Sequence, residues 1–218
     1  MILNWVRFDH VAGLIKMHMT PLLCSASQLH IHPSAILADP LHYLCLIEEK
    51  SIDTAFAPNF LLSKLTHDLE KCSELFGTFS LSSLKQINSR HEVVVTKTAQ
   101  AFSTTLKNLS NNPNWSFVIS ARFGMTETCT GCICNPIDVL VTPPTHEFLE
   151  LGTPISGCEM CIIDPTNGLT LHPDSESSEL QVHRLMIFIC YYNNTEATSS
   201  SFVEGSWYPR QCGTRRFD

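Results

Sequence analysis

Positive charge is scarce in this chain: 14 lysines and arginines stand against 21 aspartates and glutamates, giving a formal net charge of −7. A protein that neutralises phosphates along a nucleic acid needs a basic footprint, so nucleic acid drops out as a first candidate partner. Long hydrophobic runs are missing too. The best of them, Leu185 to Tyr192, is strand-length and falls well short of the roughly 18 apolar residues a bilayer-spanning helix needs. The N-terminus, Met1-Ile2-Leu3-Asn4-Trp5-Val6-Arg7, carries neither a basic leader nor a small-residue cleavage site behind an apolar core. The expectation is a cytoplasmic chain, without a membrane span, that begins inside a domain. No internal repeat is present.

Regular cysteine spacing is also lacking. The ten cysteines are scattered through hydrophobic segments (Cys24, Cys45, Cys158, Cys161, Cys190), which predicts buried thiols rather than a disulfide framework. Cys129, Cys132 and Cys134 make a zinc-like first step, but no second pair and no histidine at finger spacing follow.

What the chain does have is bulk. With 218 residues, 44% of them hydrophobic, it can build one large domain or two small ones around a genuine core. Apolar residues recur at helical spacing from Val11 to Leu23, with Asp9 ahead as a candidate cap. Leu29 to Ile31 reads as a strand, Pro40 to Lys50 as a helix opened by proline, and Thr54 to Ala57 as a buried strand ended by Pro58. Helical periodicity resumes at Asn59 to Leu65. A strand at Leu84 to Ile87, a helix at Val95 to Asn108 and a strand at Ser116 to Ser120 follow. Strands alternating with helices imply an α/β fold with a doubly wound parallel sheet over residues 1–145. Beyond it short strands (Glu159 to Ile163, Glu179 to Val182, Met186 to Cys190) separated by turn residues such as Pro165 and Gly168 predict a smaller, mostly β subdomain over 146–208. Residues 209–218 form a divergent tail.

The chemistry concentrates in Phe123-Gly124-Met125-Thr126-Glu127-Thr128, at the end of the predicted strand, where open α/β sheets bind ligands. An aromatic face can stack a purine and glycine lets backbone approach it. A threonine hydroxyl can hold a phosphate oxygen, and a carboxylate can hold Mg²⁺. The plainer alternative is a glycine turn with a capping threonine.

The aromatic-Gly-x-Thr-Glu loop resembles that of the adenylate-forming (AMP-binding) superfamily, the acyl-CoA synthetases and nonribosomal-peptide-synthetase adenylation domains. Asn4 to Gly13 is similar to the family segment in which a strand ends in a histidine before the substrate-facing helix. Thr54-Ala55-Phe56-Ala57-Pro58-Asn59-Phe60 resembles the threonine-strand-proline element. Leu151-Gly152-Thr153-Pro154 resembles the Leu-Gly-x-Pro turn, and Glu179 to Val182 with Tyr191 to Thr198 resembles the strand and loop before the ribose-binding aspartate. The resemblance implies a partial large N-terminal domain of such an enzyme. Its reaction would activate a carboxylic acid with ATP to an acyl-adenylate, then pass it to CoA or to a carrier protein's phosphopantetheine. The wording of the Phe123 loop lies closest to secondary-metabolite assembly lines. Phe123, Gly124, Met125 and Thr126 would hold the nucleotide, Glu127 would coordinate Mg²⁺, and His10 would meet the acid's carboxylate, unless His10 is simply structural.

The departures from the family pattern matter as well. Its Ser/Thr/Gly-rich phosphate loop with lysine is not matched upstream of His10. Ser89-Arg90-His91-Glu92 stands where a Gly-Gly step before Glu is usual, and Arg122 stands where glycine is usual. After Gly205-Ser206-Trp207-Tyr208 the match stops, so the ribose aspartate, hinge and C-terminal domain have no counterpart, which suggests a shifted frame or a misjudged splice. The expectation is a truncated ligase that does not run the reaction alone. The alternative is a non-catalytic module binding adenine nucleotide or an acyl group.

Overall fold

The computed structural model describes residues 1–90, 92–129, 131–134, 139–143, 145–164, 166–167, 169–170, 179–184, 187–203 and 212–215. Contacts divide the chain into two units, Met1–Phe123 with Ile133–Thr153, and Gly124–Cys132 with Pro154–Asp218. The first contains β1 (Ile2–Asn4), a π-helical stretch (Ala12–Met19), α1 (Thr20–Leu23), β2 (Gln28–His30), α2 (Pro33–Ala38), α3 (Leu41–Glu49), β3 (Thr54–Phe56), α4 (Asn59–Glu70), β4 (Gln86–Ser89) and α5 (Thr96–Leu109). β5 (Val118–Gly124), β6 (Gly131–Cys134) and β7 (Thr153–Pro154) include the points where the chain passes between units. The seven-stranded sheet runs β2-β1-β3-β4-β5-β6-β7. Its β2-β1-β3-β4-β5 portion is parallel throughout.

Helix–sheet alternation works here because each helix has one apolar stripe to bury. On α5, Ala99, Phe102, Leu106 and Leu109 recur at helical spacing and are fully buried. α4 packs against α5, and its Leu61, Leu62, Leu65 and Leu69 are also fully buried. Each such leucine or phenylalanine contributes roughly 1.5–3 kcal/mol. Trp5 donates its indole N–H to the Phe56 carbonyl at 2.8 Å, which joins the ends of β1 and β3. Among the described residues no helix is long and apolar enough to cross a membrane.

Tyr43 on α3 is fully buried and its hydroxyl has no hydrogen-bond partner among the described residues; burial alone pushes its ionisation far above the usual range. A buried hydroxyl without a partner costs about 1–3 kcal/mol. Tyr43→Phe should therefore hold or raise the urea midpoint, and a loss of more than about 1 kcal/mol would show that the hydroxyl is satisfied in solution.

Several expectations need correcting. The helix expected over Val11 to Leu23 forms, but it is π-helical over Ala12–Met19 and ordinary only over Thr20–Leu23. The Thr20 N–H and hydroxyl both reach Ile15 O, an i→i−5 ladder, and Pro21 has no N–H with which to restore the ordinary one. Asp9 is not the cap: it pairs with Arg7 at 2.6 Å, while His10 Nδ1 accepts from Ala12 N at 3.0 Å. The strand expected to stop at Ser120 continues to Gly124, so Phe123 and Gly124 belong to β5.

In the second unit β8 (Cys158–Ile163), β9 (Glu179–Arg184), α6 (Thr195–Ser201), β10 (Phe202–Val203) and β11 (Cys212–Arg215) follow. They build an antiparallel sheet in the order β10-β11-β9-β8. Of the strand expected at Met186 to Cys190, Met186 lies outside the described residues and 187–190 are irregular, with Ile189 90% exposed. The Phe188 N–H is committed to Glu127 O at 2.8 Å instead of to a neighbouring strand. Leu185, Pro165, Gly168, His91 and the Gly205 to Gln211 stretch also fall outside the described residues.

Among the described cysteines none is in a disulfide. Cys158 and Cys161 are buried as expected, but Cys24 and Cys190 are exposed. Both follow segments whose apolar runs end in turns, where periodicity carries no burial signal.

Candidate functional site

In the second unit, Met125 leaves β5 extended and the chain folds into a single 3₁₀ turn, Thr126–Thr128. Thr128, 2% exposed, closes this turn: its hydroxyl accepts from Met125 N at 3.2 Å and donates to Met125 O at 3.1 Å. The capping threonine of the plain reading is thus Thr128, which leaves Thr126 exposed on the turn's outer side. Cys129 ends the turn at φ +59, in the left-handed region.

Glu127 faces the other way and is 7% exposed. Its Oε1 accepts the Tyr191 hydroxyl, and its carbonyl accepts Phe188 N. Tyr191 is held in turn: its ring packs on Phe188 at 4.7 Å, and its backbone N–H bonds Thr198 Oγ1 at 2.9 Å, on the helix that Asn194 caps. Phe188 also stacks on Phe202 at 5.1 Å. A buried carboxylate with an O–H donor on one oxygen is a fixed, hard-oxygen group of the type Mg²⁺ takes. Tyr191 was quoted in the sequence only as part of a resembling loop. Its role beside Glu127 carries no local signal, because the two lie 64 residues apart.

In the first unit, His10 is exposed and lies at the rim of a cleft of about 620 Å³. The cleft is walled by Trp5, Leu37, Phe56, Pro58 and Phe60, with Glu92 at its edge. Because His10 Nδ1 accepts the Ala12 N–H, neutral His10 carries its proton on Nε2 and can offer that N–H as a donor. Glu92 Oε1 accepts Phe60 N at 2.8 Å, fixing the start of α4 beside the cleft. His10 and Phe123 thus belong to the first unit, and Gly124, Met125, Thr126 and Glu127 to the second.

Next to the cleft, Phe8, His18 and His30 form a triangle with ring centroids 5.1–5.2 Å apart. Burial first, and then His18, hold His30 below the usual histidine range. As the pH falls through about 6.5 the unfolded chain takes up a proton that folded His30 resists. Stability therefore drops on the acid side. Between pH 7.5 and 5.5 the wild-type chain should lose more unfolding free energy than His30→Gln, and an equal loss in the two would contradict this.

The expected small Gly-Gly approach is replaced as the sequence indicated: Arg90 is 93% buried, being 7% exposed, and Arg122 is half-buried on β5. Of the cysteine trio, Cys132 is buried, and Cys134 Sγ lies 3.6 Å from Ser120 Oγ.

Comparison with known proteins gives this geometry a family. A family model described as AMP-binding enzyme matches residues 1–192. The chain is 69% identical over 208 residues to atromentin synthetase greA of Suillus grevillei, covering 95% of this chain and 22% of that protein. It is 67% identical over 206 residues to inactive atromentin synthetase invA6 of Paxillus involutus, covering 94% and 22% respectively. The chain thus spans about a fifth of the length of these curated relatives. Among solved structures, that of McyG A-PCP complexed with phenylalanyl-adenylate superposes with a TM-score of 0.84 at 28% identity, over 98% of this chain and 36% of the other. With the family model covering most of its length and the fold agreeing, the chain belongs to the AMP-binding enzyme family.

Proposed function

We propose that this chain forms part of an ATP-dependent ligase that activates a carboxylic acid as its acyl-adenylate and then delivers it to a thiol, of CoA or of a carrier protein's phosphopantetheine. In that reaction a carboxylate oxygen attacks the α-phosphorus of ATP, a mixed anhydride forms, and the bond to pyrophosphate breaks. The observation that carries the reading is the division of labour in one turn: Thr126 is exposed, while Glu127 beside it is buried and held by Tyr191.

Phe123 would stack on adenine and Gly124 and Met125 would give the base backbone access. Thr126 would hold a phosphate oxygen, and Glu127 would hold Mg²⁺, which neutralises phosphate charge when bound. His10 would present its Nε2–H to the acid's carboxylate. The apolar walls of the adjoining cleft suit an aliphatic or aromatic acid. The similarity to atromentin synthetases and to a phenylalanyl-adenylate complex supports an aromatic one in secondary metabolism. Described cysteines without disulfides suit the cytoplasm.

A second reading, a non-catalytic nucleotide- or acyl-binding module, is favoured by the similarity to relatives named as inactive synthetases, at 65–67% identity. A chimera separates the two. The chain replaces its matching region in greA, and acid-dependent ATP–pyrophosphate exchange is measured beside AMP binding by the chain itself. Exchange supports the ligase; AMP binding with a silent chimera supports the module; the absence of both exchange and AMP binding refutes both.

A further inference from the structure

We propose that Lys16, Arg90 and Arg122 of the first unit form a binding site for an oxyanion, the carboxylate or phosphate group of a small ligand. The proposal stands on this cluster alone and does not depend on the ligase reading. Three elements contribute one cation each. Arg122 lies on β5, Arg90 follows the last residue of β4, and Lys16 lies on the π-helical stretch. Ser89 pairs in register with Ala121, so Arg90 and Arg122 are the next residues along two adjacent parallel strands. Neighbours in register on adjacent strands project to the same side of a sheet, about 4.8 Å apart.

Such an arrangement places like charges together at the carboxyl end of the strands, where a fold would be expected to avoid them. Arg90 is 7% exposed, and its buried Nη2 has no hydrogen-bond partner among the described residues. The Arg122 Nε donates to Ser120 Oγ at 3.2 Å, a neutral acceptor that leaves the charge uncompensated. Among the described residues no carboxylate forms an ion pair with any of the three. The strain appears in their proton affinities. Burial, and then Arg122, depress Arg90 to about 10. Burial, then Arg122, then Arg90, lower Lys16. Buried like charges without a counterion destabilise a fold, and places where a sequence breaks that rule are where ligands supply the missing charge. A planar oxyanion accepts forked N–H donors from guanidinium groups, and an ammonium adds a point charge.

The test is calorimetric and thermal titration of the full chain with inorganic phosphate and, separately, with benzoate, against sodium chloride at matched ionic strength. At least one of the two should bind saturably and raise the melting midpoint where chloride does not. Phosphate alone points to a phosphorylated ligand, benzoate alone to a carboxylic acid, and both to a site that reads any oxyanion. Arg90→Met and Arg122→Met should each weaken that binding about tenfold or more. They should also raise the melting midpoint of the ligand-free chain, because each relieves repulsion. Lys16→Met, at a half-buried position, gives the same readout if an arginine variant fails to fold. Binding of neither anion beyond chloride, wild-type affinity in the variants that fold, or a lowered ligand-free midpoint in Lys16→Met as well as in the arginine variants overturns the proposal.

Discussion

Gly13→Ala should destabilise the first unit by about 3 kcal/mol. A Cβ built on Gly13 would sit 2.2 Å from the Arg7 carbonyl oxygen, 2.7 Å from that of Val6 and 2.9 Å from the Arg7 carbonyl carbon. All three are backbone atoms, so no side chain can swing aside to relieve the clash. They belong to the segment that carries His10, which means the substitution also disturbs the cleft rim. Gly157 is the control. Its φ of +77 disfavours a side chain, but nothing lies within 4 Å of its would-be Cβ. Gly157→Ala should therefore cost about 1 kcal/mol, from backbone strain alone. Urea unfolding of both variants checks the pair. A Gly13→Ala loss no larger than that of Gly157→Ala would mean the close approach of residues 6 and 7 is not real.

Glu127→Ala should have the largest effect on ligand binding. It removes the acceptor of the half-buried Tyr191 hydroxyl, at about 1 kcal/mol of stability. Under the proposed role it also removes the magnesium dependence of ATP binding, while AMP, which does not require the ion, binds as before. Tyr191→Phe separates the two consequences: it loses the same hydrogen bond but keeps the carboxylate, so the magnesium dependence should persist. Titrations of ATP with and without magnesium read this directly. Equal magnesium dependence in Glu127→Ala and wild type would remove Glu127 from the metal role.

The parallel α/β unit was legible because its signals are local. The stripe of Phe102, Leu106 and Leu109 announces α5, and the proline after Ala57 announces the end of β3. α2 left no such trace. It is six residues long and is capped by His32, whose Nδ1 accepts Ser34 N at 3.3 Å, and histidine is not a usual cap. The π form of the helix after His10 depends on a ladder slipped by one residue, which periodicity cannot distinguish from an ordinary helix over so few turns.

The same division holds for the site. The Phe123 to Glu127 string stands out in the sequence as a string, and so does the intrusion of Arg90 and Arg122 where small residues were expected. What the string conceals is direction: that Thr126 points outward while Glu127 turns inward to Tyr191, and that Thr128 does the capping. Phe56 reads as a core residue, and it also walls the cleft beside Trp5, a double role that only the packing reveals.

The account's central claim is that an adenine-nucleotide site is built around Phe123 and the turn that follows it. The most direct test is the melting midpoint of the purified chain with and without millimolar Mg-ATP or AMP, since a ligand that binds only the folded state must raise it. The account predicts a clear upward shift that Phe123→Ala abolishes. No shift in a folded sample, or an undiminished shift in that variant, would contradict it.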